Sequence, residues 1–175
     1  STPLYSSAAS DVYKRQDVDK AVIDSLGFSI GIWNGQPDEQ SASLGIVCGC
    51  YSNNPNLRNS VVLELPENAG AHLDRDRCFA LLTTVIKSWE PEWAGVISRS
   101  SRIARNYKPG RPFLDWMLYV DRADVKSERL PASASATLVG GGTILVTQDQ
   151  PVNPTDTVAL ANLKRIAEIA GLDPV

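Results

Sequence analysis

The spacing of apolar residues changes several times along the chain, and each change marks an element. Val18, Ala21, Val22 and Leu26 fall at helical spacing and predict a helix end stopped at Gly27. From Phe28 to Trp33, Phe and Ile alternate with Ser, Gly and Trp, the pattern of a strand. Asn34-Gly35 with Pro37 and Asp38 is turn chemistry, and a second strand over Ser41 to Tyr51 completes an expected hairpin. Asn53 to Asn56 reads as a loop, and Val61 to Leu65 as a third strand ended by Pro66. Leu73 to Trp89 carries the clearest helical stripe. Leu82, Val85, Ile86 and Trp89 recur at i, i+3, i+4 and i+7, joined by Cys78 and Phe79.

Beyond Pro91 the pattern returns to strands. Trp93 to Ser98 predicts a short one. Arg99 to Pro112 is basic and loop-like, and Phe113 to Val120 is an apolar run suited to a central strand. A polar connection over Val125 to Ser135 leads to strands at Ala136 to Val139 and Thr143 to Thr147, joined by three glycines. A last helix runs from Thr157 to Ala170, with Thr155 as its expected cap and Gly171 as its stop. The expected fold is α+β: a mostly antiparallel sheet of about six strands packed with two or three helices.

Ser1 to Gln16 shows neither period. It resembles a translated sequencing-adapter read-through and reads as a non-native or disordered segment. Residues 17–175 then form one domain. That segment contains Asp11, Lys14 and Arg15, so the remainder has 15 basic and 19 acidic residues.

Composition narrows the function. With 43% hydrophobic and 21% charged residues the chain can bury a core without a metal or disulfide. A net charge of -3 disfavours nucleic acid and anionic lipid as partners. No apolar run approaches the ~20 residues of a membrane span, and no signal-peptide core is visible. Three cysteines, an odd number, fit a reducing cytoplasm better than a disulfide framework.

Candidate chemistry is sparse. His72 is the sole histidine, and nothing places a nucleophile or an orienting group beside it. Cys48 and Cys50, two apart on a predicted strand, share a face, yet with Cys78 and His72 they match no zinc spacing. Small thiols packing a sheet face explain them better. Gly140-Gly141-Gly142 lacks the Lys-Ser/Thr of a phosphate loop and reads as a hairpin turn. Glu90 and Glu92 flank Pro91, and Asp121 and Asp124 flank a strand end. Such acids are ordinarily solvated, or form a patch for a basic partner. Arg99, Arg102 and Arg105, with Lys108 and Arg111, make the one basic cluster, read as solvated or salt-bridged. Of four tryptophans most are expected in the core, with Trp33, next to a turn, partly exposed.

Several stretches, in order, carry a family resemblance. They are Ile30-Gly31-Ile32-Trp33-Asn34-Gly35, then Ser88-Trp89-Glu90-Pro91-Glu92-Trp93-Ala94, then Gly110 through Val120. Gly141 to Val146 and Gln150-Pro151-Val152 complete the set. Together they resemble the immunity protein 52 family of bacterial polymorphic-toxin systems, over about Asp17 to Val175. Members of that family begin upstream of this point, so the resemblance implies that a native N-terminal part precedes residue 17. It also implies a cytoplasmic antidote that binds a cognate toxin domain. That toxin is often a restriction-endonuclease-like nuclease, frequently delivered by type VI secretion. No catalytic residue, cofactor or metal is implied.

The residues expected to meet the partner are Trp33, Asn34, Glu90, Glu92, Asp115 and Asp121. Two other functions compete: a small hydrolase using carboxylates such as Asp115 and Glu90, and a non-catalytic subunit of a larger assembly.

Overall fold

A computed structural model describes residues 9–14, 23–51, 58–66, 69, 73–108 and 110–172. The chain separates into two compact units, Ser1–His72 and Leu73–Val175. The fold is α+β and antiparallel throughout. Its strands are divided over two four-stranded sheets rather than gathered in one.

The first unit is an antiparallel meander. Strands β1 (Ala9–Lys14), β2 (Phe28–Trp33), β3 (Ser43–Cys48) and β4 (Ser60–Glu64) lie in that order. The expected hairpin pairs Phe28 with Cys48 and Trp33 with Ser43. β1 is a difference from the sequence reading, which found no strand period over Ser1–Gln16. Its backbone pairs along the whole edge of β2, from Ala9 opposite Trp33 to Lys14 opposite Phe28. Edge pairing is satisfied by main-chain hydrogen bonds, which no side-chain alternation need announce.

Of the helix end expected over 17–26, the described part is one 3-10 turn, Asp24–Leu26. Gly27 stops it at φ +67, where a Cβ would strike the backbone of Cys48 to Cys50. β3 ends at Cys48 and Gly49 turns the chain at φ +72. Cys50 therefore lies outside the strand, and the shared face expected for the two thiols is lost. Asn59 holds the Cys50 backbone instead, accepting from its N–H at 2.8 Å. The expected loop at 53–56 falls outside the described residues, as does His72.

The second unit has a helix on each face of its sheet. Strands β5 (Trp93–Val96), β6 (Met117–Val120), β7 (Ser135–Val139) and β8 (Gly142–Val146) are ordered β5-β6-β8-β7. Strand alternation sends successive side chains of β6 and β8 to opposite faces. Leu118, Val120 and Leu145 meet helix α3 (Thr157–Ile169) through Ala159, Leu163, Ile166 and Ala167. Met117, Tyr119, Ile144 and Val146 meet helix α1 (Arg75–Trp89) through Cys78, Leu82 and Ile86. Burial on both faces explains why both strands read as unbroken apolar runs. The apolar run before β6, Phe113 to Trp116, is buried but irregular rather than strand. Gly142 lies so close to the Val120 carbonyl and the Tyr119 ring that no side chain fits there.

Two local expectations are corrected. Arg99–Ala104 is a helix, α2, not a loop, and Ser98 caps it by accepting from Ser101 N–H. The α3 cap is Asp156, which accepts from the Val158 and Ala159 N–H groups at 2.9 and 3.1 Å. The Thr155 hydroxyl is turned back to Asn153.

Candidate protein-binding interface

The sequence-predicted site residues fall into three environments. Glu90, Glu92 and Asp121 are brought together at one end of the second sheet. α1 closes at Glu90, which takes a left-handed conformation at φ 44 and donates its N–H to the Ile86 carbonyl. Pro91 redirects the chain into β5. Pairing of Trp93 with Val120 then carries the strand ends side by side, and Asp121 N–H donates to the Glu92 carbonyl at 3.1 Å. All three acids are exposed. The Tyr119 hydroxyl donates to Asp121 at 3.4 Å. Burial chiefly, then the charge and hydrogen bond of Asp121 and the charge of Glu90, raise the Tyr119 phenol above its ordinary range. Trp89, the last residue of α1 before Glu90, is half-exposed at this end.

The exposure of Trp89 was not legible in the sequence. Trp89 continues the α1 stripe by spacing and was expected in the core, but it is 50% exposed. The nearest signal was its place as the last helical residue before Glu-Pro-Glu, where a stripe runs past the sheet. Trp116 is buried, and its indole N–H donates to the Gln148 carbonyl at 3.0 Å.

Trp33 and Asn34 belong to the first unit, at the tip of the β2–β3 hairpin. Trp33 is 45% exposed, and its indole N–H is tethered to Ser41 Oγ at 3.0 Å. Asn34 works inside the tip. Its Oδ1 accepts from the Gln36 and Ala42 N–H groups and its Nδ2 donates to the Gln40 carbonyl. The loop is held by Asn34, and the Trp33 ring beside it stays exposed. An indole fixed before binding loses little freedom on contact.

Asp115 is buried and cannot meet a partner. Its carboxylate accepts from Ser101 Oγ at 2.6 Å, Ser98 N–H at 2.8 Å and Arg105 at 3.4 Å. It ties α2 to the segment leading into β6. In the same cluster Arg105 lies over the Phe113 ring and donates to the Leu114 carbonyl. Burial lowers the Arg105 pKa, and the Asp115 charge opposes that shift. So the basic cluster divides: Arg105 is spent on this internal pair, while Arg99, Lys108 and Arg111 are exposed.

Two open clefts of about 460 and 420 Å³ indent the second unit, and neither is lined by Asp115 or Glu90. Among the described residues, no group of three His, Cys, Asp or Glu side chains is close enough to hold a metal ion. Cys48 and Cys50 are half-buried, and Cys78 is buried on α1, as its place in the helical stripe predicts. Burial, reinforced by the charge of Asp74, pushes the Cys78 thiol up. No helix among the described residues is long and apolar enough to cross a membrane.

The family model for Immunity protein 52 matches residues 6–173. The chain belongs to the immunity protein 52 family. The match begins inside the segment set aside on sequence grounds, and β1 lies within it. No curated protein matches the chain significantly. An immunity function implies a cognate toxin as the partner.

Proposed function

We propose that this immunity protein is a non-catalytic, cytoplasmic antidote that binds a secreted antibacterial toxin of restriction-endonuclease type and blocks its action. The observation that carries this reading is the family match over residues 6–173. The acidic end formed by Glu90, Glu92 and Asp121 supports a nuclease as the target, since nucleases carry basic surfaces for the DNA backbone. Trp33 and Trp89 are the aromatic anchors in this reading, with Asn34 shaping the loop beside Trp33. Delivery of the toxin by a type VI secretion system belongs to the same proposal.

The test is co-expression with the toxin gene that neighbours this one. Cells carrying both should grow and keep intact chromosomal DNA, and cells carrying the toxin alone should not. If the toxin still kills while this protein is soluble and abundant, the reading fails.

A further inference from the structure

We propose that the outer edge of β4 is a docking strand, where an extended segment of the toxin adds to the first sheet beside Ser60–Glu64. This rests on the toxin-binding reading and specifies how part of the partner is held.

The strand order β1-β2-β3-β4 leaves the outer edge of β4 without a strand partner among the described residues. A strand directs alternate N–H and C=O groups toward its two sides, so β4 shows half of its backbone groups away from β3. Another extended chain is the ligand that matches that row of donors and acceptors. Free edges are commonly blunted by Lys, Pro or a bulge. β4 reads Ser-Val-Val-Leu-Glu, and its register with β3 runs unbroken from Val47–Ser60 to Ser43–Glu64. Val62, Leu63 and, just beyond, Leu65 are 48%, 45% and 41% exposed. Val62 and Leu63 point to opposite faces, so both sides of this edge are apolar and open.

The helix-covered sheet treats an edge differently. At β7 Arg75 reaches from α1 to Ser135 at 3.3 Å and to Asp149 at 3.2 Å, placing a charged side chain over the end of that strand. Burial points the same way. Every buried apolar side chain described in the protein belongs to the second unit. The first sheet has apolar surface still to cover, and an added strand would cover it beside Val62 and Leu63.

Charge selects a partner protein over a second copy. Two chains of net charge -3 repel each other. Glu64 shares a cross-strand row with Ser43 and Trp33, so one face of this edge carries an acid and leads toward the exposed indole. The segment that fits is extended and apolar beside Val62 and Leu63.

Amide hydrogen exchange tests this on the full chain, with and without the catalytically inactivated toxin domain encoded by the neighbouring gene. Outward amides of Ser60–Glu64 should slow at least tenfold in the complex. Val61→Pro, Val62→Pro and Leu63→Pro should alternate. Where the amide points outward, proline keeps the fold and weakens binding tenfold or more; where it points to β3, proline unfolds the sheet. A complex that forms with no slowing at Ser60–Glu64, and that Val62→Lys/Leu63→Lys leaves at full affinity, overturns this inference while the toxin-binding reading stands. Failure to form any complex overturns both. Slowing that appears without toxin and grows with protein concentration assigns the edge to a second copy and overturns the proposal.

Discussion

Ser101 and Asp115 are both fully buried, and the Ser101 hydroxyl donates to the Asp115 carboxylate at 2.6 Å. Burying a carboxyl group away from solvent is costly unless its oxygens are met by donors. Here Ser98, Ser101 and Arg105 meet them, from α2 and its cap. Asp115→Ala leaves Arg105 and Ser101 without that partner and should cost about 3–5 kcal/mol, the range for breaking a buried pair from one side. Urea unfolding followed by tryptophan fluorescence measures it. Where the variant is folded, its toxin affinity should match that of the parent, since Asp115 touches no surface.

The cap of α3 separates two neighbours. Asp156→Ala should lower stability by about 1 kcal/mol by orphaning two N–H groups of the first turn, and Thr155→Ala should change it far less. Thermal melts of the two variants decide the matter. Equal losses would show that the cap is shared.

Alkaline pH should destabilise the second unit. Tyr119 and Cys78 have pKa values raised above their ordinary 10.0 and 9.0, so the folded state holds these protons more tightly than the unfolded chain does. Their contribution to stability is full below the unfolded values and is lost as pH rises through the folded ones. Urea midpoints should therefore fall steadily from about pH 9 upward. Tyr119→Phe should flatten the upper part of that fall, a result readable in one series of unfolding curves.

Reversing charge at the acidic end should slow association more than it speeds release. For Glu92→Lys/Asp121→Lys, the on-rate for the inactivated toxin domain should drop about tenfold at low salt and approach the parent rate at high salt. Surface plasmon resonance at two ionic strengths reads both. An unchanged rate at low salt would remove this end from the interface.

The two exposed indoles are the proposed anchors to compare. Trp33→Ala and Trp89→Ala should each weaken toxin binding by about tenfold or more while leaving the urea midpoint nearly in place. Trp116→Ala, a buried control, should do the reverse: lost stability, and an affinity that tracks the folded fraction.

Much of the second unit was legible because its signals are local. The stripe Cys78-Leu82-Ile86 announces α1, and the glycines after Val139 announce the β7–β8 hairpin. α2 was hidden by its arginines, whose spacing of three reads as a charged loop until Arg105 is seen turned inward onto Asp115. The gathering of Glu90, Glu92 and Asp121 was half legible. Each stands at an element end, but nothing local says that β5 will pair with β6.

Periodicity, capping residues and turn chemistry act within a few residues, so the sequence by itself determined most element types and strand positions and the family to which the chain belongs. Beyond the β2–β3 and β7–β8 hairpins, only the tertiary structure decided which strand neighbours which, and therefore which charges are exposed. Asp115 and Asp121 are equally acidic in the sequence. Long-range pairing seals the first beneath α2 and leaves the second beside Glu92 on the surface. Among the described residues the same pairing left β4 as an edge, because the order of strands in a sheet is set by contacts between distant segments and not by any residue of β4 itself.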